Sequence, residues 1–78
     1  MSKKSIEECV RTSLETYIKD LHGIEPNGVY DMMIRAVEKP MLEVVMQHAE
    51  QNQSRAAEWL GLNRNTLRKK LVDHKLIK

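Results

Sequence analysis

Residues 51–71 read QNQSRAAEWLGLNRNTLRKKL, and the positions of asparagine, glycine and leucine in this segment predict two short helices. A short helix is predicted to open at Asn52 or Gln53, residue types that are typical of helix N-termini. The helix should end near Leu60, because Gly61 can adopt the left-handed backbone that stops a helix sharply.

A second short helix is predicted to follow this turn. Asn63 is a favourable N-cap, so the helix should start there and run to about Asp73. Two short helices joined by a tight turn containing glycine form a helix-turn-helix. Ala56 and Ala57 are small where the helices approach, and the apolar seam between them is formed by Leu60, Leu62, Leu67 and Leu71. A β-branched residue at Ala57, or any side chain at Gly61, should open the angle between the helices.

The second helix of the motif is predicted to present a polar, cationic face. Leu67 and Leu71 are taken as the inward side. Successive helical residues are about 100° apart, so Asn65 and Lys69 then point directly outward. The exposed ridge is completed by Arg64, Thr66 and Arg68. These residue types suit a DNA major groove, where arginine pairs with guanine, asparagine with adenine, and lysine adds charge.

Different contacts are predicted along this ridge. Recognition helices present their first residues to base edges, so Arg64 and Asn65 are the candidates for base recognition. Phosphate or mixed contacts are predicted for the later cations, Arg68, Lys69 and Lys70. Phosphates that approach the start of the preceding helix should meet Asn52, Ser54 and Arg55.

The charge distribution supports a polyanionic partner. Residues 1–50 contain six Lys/Arg and nine Asp/Glu, a net charge of −3, whereas residues 51–78 contain seven Lys/Arg and two Asp/Glu, a net charge of +5. A basic segment on an acidic body is typical of proteins that bind nucleic acid through the basic segment, while the acidic part discourages non-specific contact with phosphates. The alternative interpretation is a solvated positive helix face.

The amino-terminal half predicts two longer helices. Ser5-Ile6-Glu7-Glu8 has the form of a capping box, and apolar spacing continues a helix over 5–21, stopped near Gly23. A second helix should run from near Asn27 to about Ala49. Pro40 lies in its middle, and we expect a kinked, continuous helix because helical periodicity persists on both sides.

The second long helix is apolar over a wide arc, which requires partners on two sides. The first helix can cover one side, and a second copy of the chain is the economical cover for the other, giving a two-fold interface. The alternative is a monomeric bundle with an exposed methionine-rich patch. We therefore predict one all-α domain, a homodimer, with dimerisation helices in residues 1–50 and a helix-turn-helix in residues 51–78.

Several function classes are not favoured by the sequence. The single cysteine cannot form an internal disulfide, no secretory apolar region follows the start, and no apolar stretch approaches the roughly 20 residues that span a bilayer. We expect a cytoplasmic protein without membrane contact.

No catalytic constellation, cofactor motif or metal site is predicted, since the histidines are scattered and Cys9 is assigned to a small core position. Trp59 is expected to pack against the seam or the second helix, and the core or dimer edge is expected to take Tyr17 and Tyr30.

Several of these segments resemble the Fis (factor for inversion stimulation) family of bacterial nucleoid proteins over nearly the whole chain. The similarity is tightest in residues 37–40 (VEKP), 45–46 (VM), 52–57 (NQSRAA) and 61–71 (GLNRNTLRKKL). The resemblance implies a homodimer whose first two helices interlock with those of the partner, a second helix kinked at Pro40, and a helix-turn-helix made of the third and fourth helices.

The resemblance also implies site residues and roles. DNA contacts from the recognition helix are implied for Asn63, Arg64, Thr66, Arg68, Lys69 and Lys70, and phosphate contacts for Asn52 and Ser54. Family members bind degenerate sites, bend DNA, organise the nucleoid and regulate transcription, and their binding depends on a compressed central minor groove. Val72 and Asp73 depart from the family by replacing lysines, which should weaken flanking phosphate contacts and reduce bending.

Some alternatives remain open at this point. Longer family members carry an N-terminal arm, a β-hairpin that touches DNA invertases, whereas this chain begins essentially at the first helix, so stimulation of inversion is not implied. Contacts with RNA polymerase or a recombinase are left open. The same helix-turn-helix motif forms the C-terminal domain of enhancer-binding activators, so a detached domain of that kind is an alternative. The initial methionine favours a free-standing protein. A rival of another class is a dimeric protein-interaction module with a basic tail.

Overall fold

The computed structural model describes residues 3–77, which form four α-helices and no strand. The helices are α1 (Lys3–Asp20), α2 (Val29–His48), α3 (Gln53–Leu60) and α4 (Arg64–Asp73). The predicted all-α fold with two long and two short helices is confirmed. Met1, Ser2 and Lys78, the outer ends of the two predicted regions, lie outside the described residues.

The start of α1 differs from the prediction. The helix already includes Lys3, so Ser5 is a helical residue and the predicted capping box is wrong. Glu8 instead accepts a hydrogen bond from Arg11, one turn later, at 2.8 Å. The helix ends at Asp20, and the following turn reaches Gly23 in left-handed backbone, with φ of 90°. The predicted stop near this glycine is correct.

Helix α2 is continuous through Pro40, as predicted. A proline inside a helix removes one backbone hydrogen bond and crowds the preceding turn. The helix nevertheless continues on both sides of the proline, where apolar residues keep helical spacing. The kink at this position stays a prediction.

The boundaries of the helix-turn-helix follow from its side-chain caps. Asn52 caps α3 through its side-chain oxygen, which accepts the Arg55 N–H at 3.0 Å. Asn63 caps α4 in the same way by accepting the Asn65 N–H at 2.8 Å. Gly61 ends α3 with φ of 73°. The predicted positions of both helices and of the turn between them are confirmed.

The core is concentrated in the carboxy-terminal half. Its buried members come from three helices and the segment after α2: Leu42, Met46, Ala49, Ala56, Ala57, Leu67 and Leu71. Half-buried Val45, Leu60, Leu76 and Ile77 pack against them. The small residues expected where α3 meets its neighbours are thus part of this core. Helix α3 packs against both α2 and α4 and positions α4 on the long helix.

Helix α1 contributes no buried residue. Its extended packing on α2 within one chain, expected from the sequence, is absent from the described residues, where the extended contacts are those of α3 with α2 and α4. Cys9 is exposed and is not the core residue that was predicted. The apolar face of α1 therefore finds no sufficient cover in a single chain.

Helix α2 carries an uncovered apolar stripe. Its members recur at alternating intervals of four and three residues, and all are exposed: Tyr30, Ile34, Val37, Met41 and Val44. This spacing is that of the contact seam of two packed helices. We call these five residues the α2 stripe. It lies on a different side of α2 from Leu42 and Met46, which face the core.

Trp59 is also misplaced by the sequence analysis. Its side chain is 56% exposed, so it does not pack into the seam or the α2 junction as expected. Ala56, Ala57 and Leu60 occupy the inward side of α3 instead. Tyr17 is half-buried and Tyr30 is exposed, so neither belongs to the core of the described chain.

The helices α2, α3 and α4 end in the same backbone motif. After each, an N–H bonds a carbonyl five residues earlier: Gln51 to Met46 (2.9 Å), Leu62 to Ala57 (2.9 Å) and Leu76 to Leu71 (2.8 Å). A residue with positive φ directly precedes each donor, namely Glu50 (55°), Gly61 (73°) and Lys75 (60°), and Gln51 itself also has a positive φ (62°). Of these four residues only Gly61 is glycine, so the other three positions carry the strain of left-handed backbone in a residue with a side chain.

We expect Gly61→Ala to destabilise the fold by about 1 kcal/mol, the cost of left-handed backbone for alanine. A Cβ at Gly61 would meet no atom within 4 Å, so the expected steric opening of the helices is wrong and the backbone conformation is the constraint. The converse change, Gln51→Gly, should stabilise by about 0.5 kcal/mol after the entropic penalty of glycine. Thermal unfolding of both variants checks the opposite signs; a stabilised Gly61→Ala would contradict the argument.

No described helix combines the length and the hydropathy needed to cross a membrane.

Candidate nucleic-acid interface

The two faces of α4 differ sharply in burial. Leu67 and Leu71 are fully buried, and this fixes the rotation of the helix about its axis. Every member of the predicted ridge is exposed: Arg64, Asn65, Thr66, Arg68 and Lys69. By helical rotation Asn65 and Lys69 lie opposite the two leucines, and Arg64 projects from the first turn. Arg68 and Lys69 make no ion pair with any other residue in 3–77. Two unpaired cations therefore project from one face of a short, rigidly seated helix.

A polar groove joins the amino-terminal ends of α3 and α4. It has a volume of about 280 Å³ and is lined by Gln51, Asn52, Gln53, Ser54, Arg64, Asn65 and Arg68. The Arg64 guanidinium donates to the Ser54 hydroxyl at 3.2 Å, which links the two helix starts. The predicted contacts of α3 and α4 thus line one continuous surface. Helix N-termini present unpaired N–H groups, so this surface suits an anion.

The asparagine caps keep part of their hydrogen-bonding capacity. Asn52 and Asn63 use the side-chain oxygen to accept a backbone N–H. Both residues are exposed, so their amide NH₂ groups remain available to donate hydrogen bonds to a ligand. Arg55 is exposed as well and lies 3.6 Å from the Glu50 carboxylate. A surface pair of this kind contributes little, so its guanidinium can exchange partners at low cost.

Lys70 is not part of this exposed surface. Its ammonium lies 2.8 Å from the Glu38 carboxylate of α2, and both side chains are half-buried. The sequence placed Lys70 among the cations for DNA because it follows Arg68 and Lys69. The structure corrects this placement, since 100° of helical rotation turns Lys70 toward α2. Its charge is used within the chain.

His74 is a functional candidate that the sequence analysis missed. It is 6% exposed, and its Nε2 lies 2.8 Å from the second oxygen of the Glu38 carboxylate. A carboxylate can only accept, so the ring must donate from Nε2. The available signal was its spacing, seven residues after Leu67, which puts it on the buried face of the helix. The scattered positions of the three histidines argue against a metal site and do not point to this contact.

Glu38 is therefore held by two donors, one from the last turns of α4 and one from the residue that caps its C-terminal end. The hydrogen bond from Lys70 and then that from His74 hold the pKa of Glu38 below its ordinary value of 4.5, against a smaller opposing effect of burial. A second bridge between the same helices pairs Arg35 with Asp73, on more exposed side chains. Asp73 thus has a partner in α2.

The lowered pKa of Glu38 gives a pH prediction. A group whose pKa falls on folding stabilises the folded state above its unfolded pKa, and this contribution disappears as the pH falls through the folded value. Glu38→Gln should cost about 1–2 kcal/mol near pH 7, and the difference from the wild type should shrink below pH 4.5. Urea unfolding of both proteins between pH 7 and pH 3 measures this, because all other carboxylates are common to the pair. A difference that does not change with pH would contradict it.

The described residues contain no group of three or more histidine, cysteine or acidic side chains arranged to hold a metal ion. What the surface offers is a set of hydrogen-bond donors and cations on a fixed frame. Such a set binds anionic polymers through charge and through planar donor pairs.

Comparison with known proteins gives the family. Residues 33–73 match the sequence model of the family described as "bacterial regulatory protein, Fis family". A Fis-like DNA-binding protein of Ralstonia nicotianae is 57% identical over 77 residues, covering 99% of this chain and 100% of the relative. A Fis-like DNA-binding protein of Neisseria meningitidis is 58% identical over 72 residues, with 92% and 91% covered. The DNA-binding protein Fis of Aliivibrio fischeri is 42% identical over 71 residues, with 91% and 72% covered. On this evidence the chain belongs to the Fis family of bacterial regulatory proteins.

Proposed function

We propose that this chain is a homodimeric DNA-binding protein that inserts α4 of each subunit into the major groove of duplex DNA. The observation that carries the proposal is the contrast between the two sides of α4, one fully buried and the other exposed and cationic. Its relatives are named as DNA-binding proteins, and family membership agrees with the prediction that the chain is not an enzyme.

The proposed contacts follow the geometry of the surface. Arg64 and Asn65, in the first turn of α4, are assigned to base edges, and Thr66 to a base methyl group or a phosphate. Arg68 and Lys69 are assigned to phosphates. The donors around the groove contact phosphates as well: Asn52, Ser54, Arg55 and Asn63. Lys70 is left out because Glu38 already holds its ammonium.

The proposed dimer is supported by the surfaces that one chain leaves open. The α2 stripe has helix-pairing periodicity and remains exposed, and α1 buries nothing. A second copy can cover both surfaces by a two-fold axis, which also presents two α4 helices to one duplex. This arrangement agrees with DNA-binding dimers, in which the two recognition helices read two half-sites.

The cellular role proposed for the dimer is that of its family. Two phosphate-binding surfaces on one rigid dimer favour curved DNA, because curvature brings more phosphates within reach. Binding of degenerate sites, bending, nucleoid organisation and regulation of transcription are proposed on this basis, with action in the cytoplasm at the nucleoid.

Titration of a duplex across salt concentrations tests the proposal. We expect the logarithm of the affinity to fall with the logarithm of the salt concentration, by about 0.9 for each phosphate neutralised. Sedimentation in the same buffers should give the mass of two chains. A flat salt response would favour a protein-interaction module with a basic tail and overturn the DNA-binding proposal, and a folded single-chain species at micromolar concentration would overturn the dimer.

Two substitutions should distinguish base contacts from phosphate contacts. Lys69→Ala is expected to lower the slope of log affinity against log salt concentration by about one unit per subunit. It should weaken binding to all DNA sequences equally. Arg64→Ala should cost about 1–3 kcal/mol on the preferred site and remove a base preference. Selection of bound sites from a random duplex pool, followed by affinity measurements on selected and scrambled duplexes, distinguishes the two. Identical behaviour of the variants would contradict the assignment.

A further inference from the structure

One carboxylate of α2 holds Lys70 of α4 and His74, the residue that caps the C-terminal end of α4. Glu38 accepts from Lys70 with one oxygen and from His74 with the other, both at 2.8 Å, and its own side chain is 15% exposed. Lys70 and His74 are four residues apart and therefore lie on one face, one turn from each other. We call this arrangement the Glu38 clasp. Two contacts along the axis of α4 restrain its tilt as well as its position.

The clasp joins two helices that otherwise meet mainly through a third. The extended helix contacts of the described chain are those of α3 with α2 and with α4. The flanking Arg35–Asp73 bridge is about half exposed on both sides and is worth little in water. The clasp is less exposed and charge-assisted, and such hydrogen bonds are roughly twice as strong as neutral ones.

The location of the clasp gives it a specific consequence. Helix α2 carries the stripe proposed to form the two-fold interface, and α4 carries the residues proposed to enter the groove. The orientation of α4 on α2 therefore sets the distance and the angle between the two α4 helices of a dimer. Half-site spacing in DNA-binding dimers follows from this distance.

We propose that Glu38 and His74 are positioning residues that determine which half-site spacing the dimer accepts. They touch no DNA in this proposal and act through the orientation of α4, and the proposal rests on the DNA-binding function above. Loss of the clasp lets α4 tilt, so that the dimer tolerates several spacings and binds the best of them less well. Base preference within each half-site is unchanged, because Arg64 and Asn65 remain in place on α4.

A second consequence concerns charge. Removal of the Glu38 carboxylate releases the Lys70 ammonium, which can then neutralise a phosphate. The salt slope of Glu38→Gln should therefore become steeper by up to about one unit per subunit, whereas His74→Phe, which keeps the carboxylate, should leave the slope unchanged. A merely destabilised protein would not acquire an additional phosphate contact, so a steeper slope identifies the release of Lys70, and the spacing profile reports the positioning of α4.

The experiment uses full-length chains and synthetic duplexes. Each duplex carries two copies of the half-site selected by the wild type, with the spacer changed by one base pair at a time. Glu38→Gln keeps the shape of the side chain without its charge, and His74→Phe keeps a ring without the N–H donor. Arg35→Gln is the matched control, because it breaks the exposed bridge between the same two helices. Circular dichroism and sedimentation establish that each variant is folded and dimeric.

We expect the wild type to discriminate between spacings, and the ratio of best to next-best affinity to fall about tenfold in both clasp variants, the scale of one charge-assisted hydrogen bond. Arg35→Gln should keep the wild-type profile. Unchanged profiles in folded clasp variants, a wild type indifferent to spacing, or an equal loss in Arg35→Gln would each overturn the inference. Failure of the wild type to bind DNA in a salt-dependent way would instead overturn the proposed function.

Discussion

A chain with lysine in place of Val37 is expected to sediment as a monomer and to bind duplex DNA about 100-fold more weakly, or worse. Val37 is the central member of the α2 stripe and is exposed in the single chain. In the proposed dimer the two-fold axis would bury two lysines close to each other, which costs several kcal/mol. Loss of the second binding surface removes the effective-concentration gain of a bivalent protein, about 10²–10⁴.

The sign of the introduced charge makes this test discriminating. An added lysine should increase the affinity of a monomer for phosphate, so a loss cannot come from electrostatic repulsion of DNA. Gln47→Lys adds the same charge at an exposed position of α2 outside the stripe and serves as the control. We expect it to remain dimeric with equal or higher affinity. If Val37→Lys still gives a two-chain mass in sedimentation, the stripe is not the interface.

The second large effect is expected from Leu67→Ala, which should lower the free energy of unfolding by about 2–5 kcal/mol. Leu67 is fully buried at the centre of the core and lies on α4. Its removal leaves a cavity beneath the recognition helix that α2 and α3 cannot fill without moving. DNA affinity should fall with stability, since α4 loses the seat that points its exposed face outward.

A neighbouring residue on the same helix provides the comparison. Val72 is 47% exposed, and Val72→Ala removes apolar atoms that mostly face water. Its effect on unfolding should stay within about 0.5 kcal/mol, helped by the better helix propensity of alanine. Denaturant unfolding of both variants at one protein concentration measures the difference. If both variants lost the same free energy of unfolding, burial within a single chain would not account for the stability of the folded protein.

The features that the sequence predicted well are set by local chemistry. Asn52, Gly61 and Asn63 each act on backbone groups within a few residues, so the ends of α3 and α4 could be located from residue types alone. The exposed ridge of α4 follows from helical geometry once Leu67 and Leu71 are assigned inward. Both arguments need no knowledge of the rest of the chain.

The features that the sequence did not predict depend on distant partners. Lys70 and His74 face Glu38, which lies more than thirty residues earlier in the chain, and no local pattern identifies that contact. Cys9 and Trp59 were assigned to packed positions on the assumption that apolar side chains are covered within one chain. That assumption fails for Cys9 on α1, a helix whose cover is expected from a second copy, and for Trp59, which is exposed on α3.

The capping box at Ser5 is an error of a different kind. The motif is chemically competent, but α1 is already helical at Lys3, so Ser5 lies within the first turn and not at the N-cap position that the motif requires. A sequence motif fixes which bonds can form, and the start of the helix decides whether the donors need them.

In the proposed dimer, helix α1, which buries no residue in a single chain, would make the fold responsive to the amount of this protein in a cell. Under the proposed dimer, ordering of the amino-terminal half follows mass action, whereas the carboxy-terminal core is already complete in each chain. Scarce protein would expose α1 to proteases and be turned over quickly, and abundant protein would be protected on its DNA. The level of the regulator and its lifetime would then rise and fall together.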